Sequence, residues 1–219
     1  MKFVRIEQIR NQIIEIVFLI HHFKQNLMKA IILLATLKKD GISNTEVLVD
    51  FFGDFLSKQK IDFEVIKLVE HQILPGSYTH LEVEDDWPEI YQKILDADIL
   101  LFATPIWWNN HSSELQRCIE RLDEVFDIIN SGKDSPLDGK MGGFIITGDS
   151  DGVEHVTGNI SNFFTSIGIT VPPYTSLGVI WEGHGKDSKK TEAQIKQYYT
   201  KNYSEDAQAM AESLAEALK

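Results

Sequence analysis

The fold is decided by the stretch DILLFATPIWWNN, residues Asp98 to Asn110. Its first half, Ile99 to Ala103, is an unbroken apolar run, which predicts a short strand buried on both faces of a parallel sheet. Such a strand lies in the middle of an α/β layer, and ligands of these folds bind beyond the carboxyl ends of the strands. The residues that follow this strand are therefore the first candidates for a functional site.

The second half of the stretch supplies a rigid exit, two large aromatic rings and two amides. These residues are Thr104, Pro105, Ile106, Trp107, Trp108, Asn109 and Asn110. The composition suits a flat heteroaromatic ligand with polar edges, such as a flavin ring. The alternative that the residues leave open is a hydrophobic loop that caps the core or forms a dimer contact.

Composition bounds the class of protein. The chain has 219 residues, of which 43% are hydrophobic, and this is enough for one domain with a sizeable core. A formal net charge of −12 disfavours nucleic acid and anionic membrane surfaces as partners. The single cysteine, Cys118, excludes a disulfide framework and a cysteine-ligated cluster, and we expect no metal site. Nothing indicates secretion, so we expect a cytoplasmic protein.

The first 27 residues carry an apolar stripe, with isoleucines at positions 6, 9, 13, 16 and 20. Spacings of three and four predict a helix with one apolar face. We therefore expect a helical extension over 1–27 and a domain over 28–219. The apolar run is interrupted by Glu15 and is too short to span a bilayer, so we expect no membrane insertion. The stripe docks on the domain, pairs with a partner helix, or lies upstream of a true start at Met28.

Four further strand patterns alternate with helical patterns along the chain. They cover Lys29–Ala35, Asp62–Val69, Met141–Thr147 and Thr175–Trp181. This alternation predicts an α/β fold, a doubly wound five-stranded parallel sheet with helices on both faces.

The loop after the first of these strands, from Thr36 to Glu46, ends where a helical pattern begins. Free backbone N–H groups at the start of a helix, together with its dipole, favour a phosphate. Ser43, Asn44 and Thr45 add polar donors there, and Lys38 or Lys39 adds charge. A plain helix start is the alternative, because Ser43 and Glu46 match a capping box. The chain has neither a dinucleotide fingerprint nor a P-loop motif.

A third polar loop follows the strand at 141–147 and contains Gly148, Asp149, Gly152 and His155. It also contains a Gly-x-Ser-x-Gly pattern centred on Ser150, which is typical of a serine hydrolase. His184 follows the last strand, where a triad histidine belongs. No acid lies between them on its own strand end and no oxyanion loop is visible, so the hydrolase is the minor alternative.

On these three loops, the chain from Met28 to about Trp181 resembles the flavodoxin-like superfamily. More specifically, it is similar to the NADPH-dependent FMN reductases and the NAD(P)H:quinone oxidoreductases. The resemblance implies a sheet of order 2-1-3-4-5, FMN as cofactor, NAD(P)H as co-substrate, a small-molecule electron acceptor and a homodimer. A flavodoxin-type electron carrier without its own reductase activity is the main rival, and an apo scaffold is another.

The resemblance also implies the residues that hold FMN. The phosphate belongs to the first loop, the ring lies along the second, and its pyrimidine edge borders the third. The implied cofactor-binding residues are Thr36, Lys38, Ser43, Asn44, Thr45, Thr104, Pro105, Ile106, Trp107, Trp108, Asn109, Thr147, Gly148, Asp149, Gly152 and His155. We further hypothesise that His155 donates toward the reduced ring, the alternative being a role in starting its helix.

The first loop departs from the family pattern. The family usually opens it with Gly-Ser and carries an arginine, whereas this chain has Ala35-Thr36 and Lys38. Lysine offers a point charge where arginine grips a phosphate with two parallel bonds. This departure concerns the affinity for FMN rather than its placement.

Overall fold

The computed structural model describes residues 27–219. The helical extension predicted for 1–27 lies outside the described residues, apart from its last position. Within the described part, five strands form one parallel sheet of order β2-β1-β3-β4-β5, as predicted. The strands are β1 (Met28–Leu34), β2 (Ile61–Lys67), β3 (Ile99–Pro105), β4 (Met141–Gly148) and β5 (Ser176–Ile180).

Six α-helices and two short 3-10 turns connect and cover the strands in the described residues. The helices are α1 (Asn44–Lys58), α2 (Trp87–Asp96), α3 (Ser113–Arg121), α4 (Asp123–Asn130), α5 (Val153–Ser166) and α6 (Glu192–Ala217). The 3-10 turns are Leu68–Glu70 and Glu182–His184. None of the helices from residue 27 onward is long and apolar enough to cross a membrane.

The core lies in two layers, one on each face of the sheet. Helices α1 and α6 share one apolar cluster with Ile32 and Leu101, while α2 to α5 share the other with Leu33 and Phe102. Neighbouring residues of β1 and β3 thus face opposite layers and are all apolar, as a strand covered on both sides requires. The edge strand β2 is more exposed, which matches its more polar sequence.

The long segment between β2 and α2 is anchored by a buried arginine. The Arg121 guanidinium donates to the carbonyl oxygens of Leu74, Tyr78 and Thr79 at 2.8–2.9 Å and pairs with the Asp85 carboxylate. Both side chains of the pair are essentially inaccessible to solvent. A buried charge without its partner is strongly unfavourable, so the ion pair and its hydrogen bonds fix this segment as a unit.

Replacing Asp85 by Asn is expected to lower the free energy of unfolding by about 3 kcal/mol at pH 7, because Arg121 then keeps a buried charge without a counter-charge. Burial raises the pKa of Asp85, but hydrogen bonds from Arg121 and the Leu74 amide outweigh it and hold that pKa below its usual value. A depressed folded-state pKa stabilises the fold above the unfolded value near 4, and this contribution is lost as pH falls through the folded value.

Urea denaturation from pH 7 down to pH 3 measures the free energy of unfolding of the wild type and of Asp85→Asn. The difference between the two proteins is expected to become smaller as the pH falls. The exposed Asp62→Asn is the matched control and is expected to change stability little. A difference that stays constant with pH would contradict the role assigned to the Asp85 carboxylate.

Candidate functional site

A cavity of about 890 Å³ opens at the carboxyl ends of the strands. The three loops expected to meet there do meet, and a fourth segment after β5 joins them. The lining residues are Thr36, Leu37, Lys38, Ile42, Ser43, Asn44, Thr45, Pro105, Ile106, Trp107, Trp108, Thr147, Gly148, Asp149, Gly183, His184, Gly185, Lys186, Ser188, Lys190 and Ile195.

The hydroxyl groups of the first loop are engaged within the protein. Ser43 Oγ donates to Thr36 Oγ1 at 2.9 Å and accepts from the Glu46 amide at 3.3 Å, which caps α1. Thr45 Oγ1 lies 2.7 Å from Thr147 Oγ1 of β4. The capping box is only half formed, since the Glu46 carboxylate pairs instead with Lys67 at 3.0 Å. These bonds fix the shape of the loop.

The backbone of the first loop keeps donors toward the cavity. The N–H groups of Asn44 and Thr45, the first two residues of α1, bond to no other residue that the structure describes. They lie at the positive end of a 15-residue helix. The Lys38 ammonium donates to the Ile42 carbonyl at 2.7 Å, so this predicted phosphate ligand folds back over its own loop. Lys38 still lines the cavity, and the two backbone N–H groups add donors to this part of the lining.

The second loop is a tight hairpin at the mouth of the cavity. Trp107 and Asn110 exchange both backbone hydrogen bonds, at 2.7 and 2.9 Å. The two residues between them, Trp108 and Asn109, have φ angles of 50° and 64°. Asparagine tolerates this left-handed region, whereas tryptophan is strained there. The turn leaves the Trp108 side chain 94% exposed.

The third loop meets the hairpin beside the cavity. Thr147, Gly148 and Asp149 line the cavity, but Gly152 does not. Gly152 has a φ of 100°, and a Cβ there would come within 2.7 Å of Asn109 Oδ1. Asn109 and Gly152 are therefore packed on each other outside the lining, where they hold the second and third loops together.

Two further predicted cofactor residues lie away from the lining. Thr104 is fully buried, and its hydroxyl accepts from the Ser112 amide at 3.0 Å and donates to the Pro105 carbonyl at 3.0 Å. His155 is exposed on the first turn of α5. Thr104 supports the hairpin from behind, and the position of His155 fits the alternative reading of a helix-start residue.

The serine hydrolase pattern does not form a catalytic pair. Ser150 is exposed, and its hydroxyl has only the carboxylates of Asp149 and Asp151 as partners among the described residues, at 3.3 and 3.4 Å. His184 bonds elsewhere, to the Gly148 carbonyl and to Tyr199. The Gly-x-Ser-x-Gly match is thus a glycine-bearing turn at a helix start.

The sequence predicts no cofactor-binding residue in the segment after β5, which begins with the 3-10 turn Glu182–His184, and it offers His184 only as a triad histidine. His184 Nδ1 lies 3.0 Å from the Gly148 carbonyl, and Nε2 lies 2.7 Å from the Tyr199 hydroxyl. The Asn44 side chain donates through Nδ2 to the His184 carbonyl at 3.3 Å. The sequence does contain a signal for this fourth segment. A Gly-His-Gly sequence follows the last strand, and that strand ends at the same edge of the sheet as the other four.

Burial lowers the pKa of His184, and its bond to Gly148 and the Asp149 charge oppose this only in part. The imidazole is therefore neutral at pH 7. Since a carbonyl oxygen only accepts, Nδ1 carries the proton and Nε2 accepts from Tyr199. His184 thus links the end of β4 to helix α6 without adding a charge to the cavity.

A family model described as NADPH-dependent FMN reductase matches residues 28–181. The chain belongs to this family. The resemblance read from the three loops is therefore confirmed as to the family. The matched range ends just before the segment after β5.

Individual relatives are similar over part of their length. The chain is 32% identical over 160 residues to the divalent metal cation transporter MntH of Mycobacterium bovis, covering 71% of this chain and 23% of that protein. It is 32% identical over 166 residues to the 8-demethyl-8-aminoriboflavin-5′-phosphate synthase of Streptomyces davaonensis, covering 71% of this chain and 64% of that protein. The chain thus spans less than two thirds of either relative.

A crystal structure of RosB with a bound 8-demethyl-8-formylriboflavin-5′-phosphate intermediate shares the fold. Its TM-score is 0.68 with 24% sequence identity, and the match covers 87% of this chain and 79% of that one.

Within residues 27–219, no group of three or more histidine, cysteine, aspartate or glutamate side chains is placed to hold a metal ion.

Gly152→Ala is expected to destabilise the protein by about 2 kcal/mol, because alanine is strained at a positive φ and its Cβ would collide with Asn109. Urea denaturation measures the loss. Gly158→Ala, inside the helix α5 that Gly152 precedes, is the matched control. Gly158 is exposed, a Cβ there would meet nothing within 4 Å, and the substitution is expected to raise the free energy of unfolding by about 0.5–1 kcal/mol. Equal effects of the two substitutions would refute the hairpin contact.

Proposed function

We propose that the protein is an FMN-binding, NAD(P)H-dependent oxidoreductase that passes electrons from a nicotinamide through bound FMN to a small-molecule acceptor. One observation carries the proposal: a single cavity combines the free amides of the α1 N-terminus, the tryptophan hairpin and the end of β4. These are a donor set for a phosphate, an apolar wall for a ring system, and a polar border for the ring's edge.

The residues present fit FMN. The N–H groups of Asn44 and Thr45, with the helix dipole, would hold the phosphate. Pro105, Ile106 and Trp107 would cover part of the ring system and exclude water from it. The cavity volume of about 890 Å³ lies in the range of cofactor sites. Ser43, Thr36 and Lys38 would act indirectly, by fixing the loop that carries these donors.

Bound FMN would supply the hydride and electron transfer, so the protein's part is binding, orientation and electrostatics. The third loop, at Thr147, Gly148 and Asp149, would border the polar edge of the ring. Neutral His184 would hold the Gly148 carbonyl in a fixed direction through its Nδ1 proton. We do not assign a ring-facing role to Thr104, Asn109, Gly152 or His155, whose positions favour support of the loops.

A homodimer and a cytoplasmic location complete the proposal. The exposed Trp108 at the cavity mouth supports a contact with a second copy, because a large apolar side chain held in a strained turn is costly to leave in water. Sedimentation equilibrium tests the dimer, and a mass of one chain at micromolar concentration would contradict it.

The domain over 28–219 would carry FMN, with 1–27 as an extension.

A second candidate is modification of a flavin 5′-phosphate held in the same cavity. It is favoured by the 32% identity to a relative named as a synthase of such a compound. The two functions differ in whether the flavin leaves the reaction unchanged.

A visible spectrum of the protein mixed with FMN, before and after NADPH, tests the function. We expect flavin absorption that follows the protein through gel filtration and bleaches with the nucleotide, and the flavin recovered after turnover keeps the mass of FMN. Bound FMN that neither NADPH nor NADH reduces would indicate an electron carrier. A changed flavin mass would favour the second candidate, and protein that binds no FMN would contradict both.

Ser43→Ala is expected to weaken FMN binding about tenfold, because the loop that presents the helix N-terminus loses its hydrogen bonds to Thr36 and Glu46. Riboflavin, which lacks the phosphate, is the internal control and is expected to bind wild type and variant equally. Fluorescence titration measures both constants. Equal weakening for the two flavins would place the phosphate elsewhere.

A further inference from the structure

The segment after β5 carries a cluster of lysines that the family match does not cover. Lys186, Lys189 and Lys190 lie beyond residue 181, where the match ends. They line a second hollow of about 810 Å³ that adjoins the main cavity. Lys186 and Lys190 line both hollows. In a chain with 21 basic and 33 acidic residues, three lysines within five positions at the mouth of the site are unusual.

The three ammonium groups have their donors free. None of them bonds to, or lies within 4.0 Å of a carboxylate of, any residue in the range 27–219. Asp149 and two further carboxylates also line the hollow, so its charge is mixed. These acids do not engage the lysines directly, and an incoming anion would meet unpaired ammonium groups.

Two of the lysines are placed by aromatic rings. Lys186 Nζ lies 4.9 Å from the centroid of the Trp107 ring, and Lys190 Nζ lies 5.7 Å from that of Trp181. A ring face attracts a cation electrostatically, and an ammonium group held in this way keeps N–H donors for another partner. Lys186 thus reaches across to the tryptophan hairpin and lines the cavity with N–H donors available for a ligand.

The backbone of the lysine segment is fixed to the rest of the site. The Trp181 amide donates to the Gly148 carbonyl at 2.9 Å, and the Trp181 ring is stacked on Tyr198 with centroids 3.8 Å apart. The Asn44 side chain donates to the His184 carbonyl at 3.3 Å. The lysine segment is thus joined at His184 to the helix N-terminus that the proposed function assigns to the FMN phosphate, and Lys186 and Lys190 line the same cavity as that N-terminus.

We propose that Lys186, Lys189 and Lys190 form a binding site for a phosphate monoester dianion at the mouth of the cavity. The inference rests on the proposed function, which brings two such groups to this place: the 5′-phosphate of FMN and the 2′-phosphate of NADPH. Ammonium groups bind a phosphate as point charges. Such a site would offset the repulsion between an anionic ligand and a chain of net charge −12.

The test uses the double variant Lys186→Gln/Lys190→Gln. The matched control, Lys133→Gln/Lys201→Gln, removes the same charge from exposed lysines that line neither hollow. Binding of FMN and riboflavin is titrated by fluorescence. The Michaelis constants for NADPH and NADH are measured on the FMN-loaded enzyme. Adenosine 2′,5′-bisphosphate and AMP are titrated by calorimetry on the same protein without turnover.

We expect the affinity for one of the two phosphate-bearing ligands, FMN or NADPH, to fall about tenfold in the lysine variant and to stay unchanged in the control. Weaker FMN with unchanged riboflavin would identify the cofactor phosphate. A raised KM for NADPH with unchanged kcat and unchanged KM for NADH would identify the nucleotide, and weaker adenosine 2′,5′-bisphosphate with unchanged AMP would agree with it. Both results support the site.

Equal behaviour of the two variants with every ligand would overturn the inference while leaving the flavin function intact. A wild-type protein that binds neither flavin would instead refute the proposed function. In that case the calorimetric arm decides alone: binding of adenosine 2′,5′-bisphosphate that is lost only in the lysine variant supports the site, and no binding to wild type overturns it.

Discussion

The structure depends on one constraint, that all five strands run parallel. Parallel pairing puts every carboxyl end at the same edge of the sheet, and each return connection must cross a face as a helix. Strand β3, from Ile99 to Pro105, lies in the middle and is buried on both sides. Its apolar sequence therefore fixes the two-layer core and, at the same time, brings the tryptophan hairpin to the shared edge.

Buried polar groups then tie the loops of that edge together. The Thr45 and Thr147 hydroxyls join the loops after β1 and β4, and Ser112 donates to the Ala35 carbonyl at 2.6 Å to join the hairpin to β1. Because an unpaired buried polar group is costly, each bond restricts where its loop can lie. Most of the hydroxyl groups that the sequence suggests as ligand donors thus form hydrogen bonds within the protein and fix the shape of the cavity. Backbone amides face the cavity.

The sequence was sufficient for the elements whose pattern is local. An apolar run such as Ile99 to Ala103 favours burial whatever its tertiary neighbours are. A helix that begins after a polar loop leaves the backbone N–H groups of its first turn without partners inside the helix. Side-chain roles at the site were harder to predict, because they depend on tertiary partners. Thr104 is satisfied by Ser112, and the helical start of α5 turns His155 to solvent. The segment holding His184 and Lys186 follows the last strand, beyond the family motifs, and only the sheet topology shows that it closes the cavity.

The central claim is that one FMN lies between the α1 N-terminus, the tryptophan hairpin and the end of β4. A crystal structure of the protein grown with FMN tests this most directly. We expect electron density for the phosphate at the backbone amides of Asn44 and Thr45, and for the ring beside Trp107 and Gly148. Flavin density at any other surface, with those amides facing only water, would contradict it.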